Sequence, residues 1–264
     1  MNIMNFRIIR ASLVLLFCFS TLFSAGQKII CFADDTKVTS NARYAITNAV
    51  CLEEVIKAKV KITNLTDQTL LVKPEECFFT TAKGNLFSHD RWVIIGPHGE
   101  ETKVIDAKGD MIQCKEATLN MNGIYTCSDT QITVSPAIKL KPEKEIRVGN
   151  FILELDQYDQ DKTEIVFKYK VTYTGNQVGL CRPGKATVKS SSGKEFKNFK
   201  EIQRTVLFKK NDDFLVGFTF SVDSKKDDHV LYLNDMLTES TPVKAGGTAI
   251  ALKYDEVKTL EKNK

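Results

Sequence analysis

From residue 55 to residue 63 apolar and polar side chains alternate, with Ala58, Val60 and Ile62 on one face and Lys57, Lys59 and Lys61 on the other. A period of two belongs to a half-buried β-strand and cannot be laid on one helix face. The same alternation, or a short β-rich run, recurs at residues 44–51, 70–72, 77–81, 91–95, 102–105, 132–134, 138–140 and 146–155. It returns at 165–174, 186–190, 205–208, 214–222, 229–233 and 248–254. Turn chemistry punctuates these runs, at Lys83-Gly84-Asn85, Gly96-Pro97-His98-Gly99, Lys108-Gly109-Asp110 and Asn122-Gly123 among others. Helical candidates are confined to 230–238 and 254–261. Many short strands with regular turn signals predict an all-β sandwich or barrel.

Part of the pattern occurs twice. Val55, Lys57, Lys59, Val60 and Thr63 match Val166, Lys168, Lys170, Val171 and Thr174 at one offset. After a two-residue shortening, Leu71, Pro74, Gly84 and Phe87 match Leu180, Pro183, Gly193 and Phe196. A gap inside a turn is what a duplication tolerates. Further on, Lys141, Val148 and Gly149 match Lys209, Val216 and Gly217. The expectation is therefore two tandem immunoglobulin-like β-sandwich modules, residues 34–155 and 156–264, with the acidic stretch 156–163 as their seam. Module one would carry an insert of about 41 residues, 88–134, that module two lacks. The run from Thr63 to Leu70 and the Lys141-Pro142 loop resemble, in rhythm, small secreted immunoglobulin-like modules. That resemblance carries no functional residues across, and the Cys…Trp…Cys pattern of antibody domains is absent.

The first 33 residues place Arg7 and Arg10 before an apolar run from Ala11 to Ala25 and contain no acid, the order of a secretory leader. A cut after Ala33 puts Cys31 at the small −3 position, whereas a cut after Ala25 puts Phe23 there. The apolar run falls short of the roughly 20 residues of a spanning helix. The expected protein is thus secreted or periplasmic, without stable membrane insertion once residues 1–33 are removed. Their removal takes away Arg7, Arg10 and Lys28 and no acid, so the net charge of +4 falls to +1. Lysines alternate with acids throughout, which excludes the basic stripe of a nucleic-acid binder.

Export sets the cysteine chemistry. Cys51, Cys77, Cys114, Cys127 and Cys181 remain after the leader, and an oxidising compartment pairs thiols. Asn122-Gly123 between Cys114 and Cys127 reads as a hairpin turn that would bring those two together, with Cys51 and Cys77 as a second pair. No pair has zinc or redox spacing.

Catalytic signatures are lacking: no G-x-S-x-G elbow and no phosphate-binding glycine loop occur, and Ser190-Ser191-Ser192-Gly193 is a repeat turn. His89 and His98 beside Asp90, Glu100 and Glu101 are read as loop residues rather than a zinc site, and Asp156, Asp159 and Asp161 as a solvated linker rather than a calcium site. Asn64-Leu65-Thr66 is the sole sequon, read as either a glycan site or a turn. No cofactor, metal or catalytic residue is expected. The reading is an exported, non-catalytic protein that binds a protein partner; the alternatives are a carbohydrate- or metal-binding sandwich and a two-domain periplasmic chaperone. Partner contacts are expected on the insert, at Trp92, Met111, Met121 and Tyr125, because insertions on a rigid scaffold gather binding surfaces.

Overall fold

The computed structural model describes residues 28–264 except 129–130, 133–136, 140–142, 200–204, 224–227 and 234. The bulk of the expected leader, the strand end at 133–134, Leu140 and the Lys141-Pro142 loop lie outside the described residues.

The chain is all-β, in several antiparallel sheets consistent with a β-sandwich. In order come β1 (Ile30–Cys31), β2 (Asp35–Val38), β3 (Ala42–Cys51), β4 (Val55–Asn64) and β5 (Thr69–Val72). A 3-10 turn at Pro74–Glu76 leads to β6 (Cys77–Thr81), β7 (Gly84–Phe87), β8 (Val93–Ile95), β9 (Glu100–Lys108), β10 (Ala117–Met121) and β11 (Ile124–Cys127). Next are β12 (Gln131–Ile132), β13 (Ile138–Lys139), β14 (Glu145–Val148), β15 (Phe151–Gln160), β16 (Glu164–Tyr173) and β17 (Val178–Cys181). A second 3-10 turn, Pro183–Lys185, precedes β18 (Thr187–Ser190), β19 (Glu195–Lys197), β20 (Val206–Phe208), β21 (Asp213–Ser221), β22 (His229–Tyr232) and β23 (Leu237–Ser240). Finally come β24 (Val243–Lys244), β25 (Ala249–Leu252) and a short helix, α1 (Glu256–Lys262), capped by the Asp255 carboxylate on the Lys258 N–H.

The strands obey the alternation that predicted them. Along β4, Ile56, Ala58, Val60 and Ile62 are buried and Lys57, Lys59 and Lys61 exposed. This strand is central, between β3 and β9, and not an edge.

One pairing scheme appears twice. In the first lobe β3-β4-β9, β11-β5-β8 and β10-β6-β7 are adjacent, and in the second β15-β16-β21, β23-β17-β20 and β22-β18-β19 are. Thr63 pairs with Arg43 and Glu100, and Thr172 with Ile152 and Asp213. Thr63 therefore corresponds to Thr172, not to Thr174, and no gap separates it from the Leu71–Leu180 match. A slip of two keeps every side chain on its own face, which is why the sequence match looked coherent. The shared Gly84 and Gly193 take φ of +112° and +84° in corresponding turns, a region that L side chains rarely enter.

The described part of 88–134, expected as an insert, has a counterpart: β8 to β11 correspond to β20 to β23, each paired with the equivalent strand of its own lobe. Residues 156–163, expected as a seam, end β15 and turn into β16, where the Asp161 carboxylate accepts the Thr163 and Glu164 N–H groups. Residues 230–232 and 237–238, expected as part of a helix, belong to β22 and β23 instead.

The lobes are closed by each other's strands. β12 and β13 follow the first lobe in sequence but pair with β23 and β22 of the second. Reciprocally, β24 and β25 follow the second lobe but pair with β11 and β10 of the first. Ile250 and Leu252 consequently sit in the first core around Phe79 and Ile62, and Ile138 sits in the second core around Phe167 and Phe218. Truncating one such fully buried aromatic, Phe79→Ala for example, costs about 3–5 kcal/mol. A smaller cluster, Leu71, Cys127, Val178 and Leu180 with Trp92, Ile94, Tyr125 and Leu207 against it, joins the lobes.

The start of the described chain is also built in. Ile30 and Cys31 pair with Cys51 and Val50, Phe32 is 1% exposed in the first core, and the Cys31 N–H donates to Thr259 Oγ1 on α1. A leader ending at Ala33 would remove these core residues, so that boundary does not fit the fold.

Candidate functional site

The sites of chain crossing between sheets assemble the candidate site. Between β5 and β6 the 3-10 turn buries Pro74 and leaves Lys73, Glu75 and Glu76 at the lobe surface. Asn122-Gly123, expected to turn a hairpin, instead carries the chain from β10 to β11, which lie in different sheets. It packs on the same turn: the Lys73 N–H donates to the Gly123 carbonyl at 2.8 Å, and a Cβ at Gly123 would sit 2.0 Å from the Lys73 carbonyl oxygen.

Trp92 precedes β8, and Tyr125 lies on β11 opposite Leu71. The Trp92 indole N–H donates to Glu75, and the Tyr125 hydroxyl donates to Glu76 at 2.6 Å. The Lys73 ammonium stands 4.7 Å from the Trp92 ring centre and 4.3 Å from that of Tyr125, linking the two aromatics. From the second lobe, Lys209 places its ammonium 4.0 Å from the Trp92 ring, and Lys244, on β24 beside Tyr125, lies 3.3 Å from Glu76. Ammonium-over-ring contacts of this kind contribute about 0.5–1 kcal/mol at exposed sites.

Beside these groups a cleft of about 360 Å³ opens between the lobes, lined by Lys73, Trp92, Asn176, Lys209, Lys210 and Pro242 among others. Lys210 donates to Asn176 Oδ1 at 2.8 Å. Glu76 is ion-paired with Lys244 at 3.3 Å and with Lys73 at 3.9 Å, and the cleft lining carries Lys73, Lys209 and Lys210 without a carboxylate, which makes it electropositive. The hydrogen bond to Glu76, with added burial and the carboxylate charges, pushes the Tyr125 phenol up to about 12 and keeps it a neutral donor.

Of the residues expected to touch a partner, the structure brings Trp92 and Tyr125 together. Met121 is fully buried in the first core, and Met111 is 69% exposed in the loop after β9, away from the cleft lining. The Lys73, Glu75, Glu76, Lys209, Lys210 and Lys244 contributions went unread in the sequence; their only local signal was the Pro-Glu-Glu turn.

The expected Cys114–Cys127 bridge is not formed. No disulfide joins the described cysteines; Cys114 Sγ faces Cys51 Sγ at 3.7 Å, while Cys127 lies in the cluster between the lobes. The physical reason is the sheet crossing at Asn122-Gly123, which sends β11 away from β10. Cys51 and Cys77 are likewise unpaired with each other. Burial pushes the Cys77 thiol up to about 11 and the Cys181 thiol up to about 12, so neither is an activated nucleophile.

His98 Nε2 is 2.8 Å from Asp67, and His89 lines a separate surface cavity with Asp90 and Asp106. Among the described residues no group of three or more His, Cys, Asp or Glu side chains is placed to hold a metal. Asn64 is 1% exposed; its amide donates to the carbonyls of Gln68, Ile95 and Gly96 and its Oδ1 accepts from Thr66, which leaves a structural role and no room for a glycan. Among the described residues no helix is long and apolar enough to cross a membrane. No protein-family model and no curated protein matches the chain.

Proposed function

We propose that this is an exported, non-catalytic binding protein, built from two related β-sandwich modules of the immunoglobulin-like class, whose inter-lobe cleft takes an acidic segment of a protein partner. The observation that carries the reading is Trp92, held by Glu75 and flanked by Lys73 from its own lobe and Lys209 from the other beside the cleft. A half-buried aromatic with ammonium groups around it offers apolar contact and charge at one spot, the combination found at binding hot spots. Repeated strand order and the matched Pro74/Pro183 and Gly84/Gly193 positions support the duplication.

Trp92 is the sole tryptophan, so its emission reports the cleft directly. Titration with a glutamate-rich peptide at low salt is expected to change that emission saturably, with affinity falling at least about tenfold in Lys209→Ala/Lys210→Ala and on raising salt. Unchanged emission, together with undiminished capture of native partners by the double variant, would overturn the reading.

Export is part of the proposal, with the leader ending before β1. Ser24-Ala25-Gly26 supplies a small-x-small site that spares Ile30 and Phe32. Intact-mass analysis of exported protein should find an N-terminus near Gln27; one at Asp34 would contradict it.

A further inference from the structure

We infer that Cys51 and Cys114 form a disulfide when the chain meets a thiol–disulfide oxidant. Their sulfurs are 3.7 Å apart, and the Cys114 N–H is directed at Cys51 Sγ at 3.4 Å. Both sides are held by backbone. Cys51 ends β3 inside the first core. Cys114 lies in the loop after β9, which is docked on the β3–β4 turn: Gly109 N–H donates to the Glu54 carbonyl at 3.0 Å and Ile112 N–H to the Glu53 carbonyl at 2.6 Å. The Ile112 side chain is 3% exposed in the core, and Gln113 donates to the Lys28 carbonyl beside β1. A disulfide needs about 2.05 Å between sulfurs, so closure requires the two Sγ atoms to approach further from 3.7 Å. Cys181 lies in the second core and Cys127 in the inter-lobe cluster, while Cys77 shares the first core with its thiol on the Lys73 carbonyl at 3.7 Å.

The chemistry is ordinary exchange. Cys114, the more accessible of the two, attacks one sulfur of a disulfide such as glutathione disulfide, releasing one glutathione and forming a mixed disulfide. Cys51 then attacks Cys114 Sγ, each cysteine gives up its proton, and the second glutathione leaves. Two protein thiols become one disulfide, and one glutathione disulfide becomes two glutathiones. Burial and the neighbouring Cys51 sulfur push the Cys114 thiol up to about 12, which makes exchange slow on the finished fold and favours closure during folding. The bridge would span a sequence separation of 63 residues, enclosing β4 to β9.

The export proposal matters here only as the source of oxidant, and the test supplies its own. The full chain is refolded in glutathione redox buffer, remaining thiols are alkylated, and non-reducing peptides are mapped. The expected result is a Cys51–Cys114 peptide pair, retained in Cys127→Ser and lost in Cys114→Ser. The oxidised protein should melt about 5–15 °C above the reduced one. Both thiols alkylated at every redox poise, or Cys114 linked to Cys127, would overturn the inference; mapping the unsubstituted chain decides it even where a variant folds poorly.

Discussion

The two lobes share a strand plan and differ at the corner where the plan crosses between sheets. In the first, Lys73-Pro74-Glu75-Glu76 holds Trp92 and Tyr125 through carboxylates; in the second, the corresponding Arg182-Pro183-Gly184-Lys185 has no acid, and Thr205 stands where Trp92 would. A similar exchange occurs one turn away. Asn64 and Leu70 of the first lobe correspond to Tyr173 and Gly179 of the second. The Asn64 amide staples its turn to three carbonyls, whereas the Tyr173 hydroxyl donates to buried Glu239, which also accepts from Asn150. The larger Tyr173 ring is accommodated because position 179 has no side chain: a Cβ there would lie 2.9 Å from that ring and 3.0 Å from Phe151. The scaffold is common to both lobes, and the chemistry belongs to residues in and beside its turns.

Removing residues 241–264 should break the comparison most severely. It deletes β24, β25 and α1, stripping Ile250 and Leu252 from the first core and one of the two β-partners from each of β10 and β11. The expected loss is several kcal/mol, on the order of a domain's whole stability, seen in calorimetry as loss of the cooperative transition. A truncated protein melting within about 3 °C of the full chain would show that the exchanged strands are dispensable.

Gly179→Ala asks whether the second lobe's turn is as tightly filled as its geometry shows. Overpacking against Tyr173 and Phe151 should cost about 1–3 kcal/mol in urea unfolding, whereas Leu70→Ala in the first lobe should lose about 2–5 kcal/mol by leaving a cavity. A neutral Gly179→Ala would mean that the Tyr173 ring has room to move.

A milder effect is expected at alkaline pH. Burial pushes the Tyr44 phenol up to about 12 and raises those of Tyr169 and Tyr173 further, while the Glu76 hydrogen bond chiefly raises Tyr125. In the unfolded chain these phenols ionise near pH 10, so between about pH 10 and 12 the unfolded state holds fewer protons and stability falls as pH rises. For Tyr44 alone the slope approaches about 1.4 kcal/mol per pH unit. Urea midpoints that stay flat through this window would contradict the burial assigned to these rings.

How much of this could be read in the sequence follows from the range of each interaction. Strands β4 and β16 announce themselves because their burial alternates over ten residues each. The exchanged strands do not: β12 and β24 are two residues long, too short for any periodicity, and their partners lie over a hundred residues away. Asn122-Gly123 correctly marks a reversal, but turn chemistry is local and does not say which sheet the next strand joins. Trp92 and Tyr125 stood out by type as candidate contacts, yet Lys73 and Lys209 acquire their meaning only when folding lays a turn of each lobe against Trp92.

The central claim is that strand exchange makes the two lobes one unit, with the cleft as its product. Urea unfolding of the full chain, followed in parallel by Trp92 emission at the cleft and by far-ultraviolet circular dichroism of all the sheets, tests it most directly. Coincident midpoints and a single transition are predicted. A second sheet transition that persists after the Trp92 signal is lost would show that the lobes fold independently, and would contradict the account.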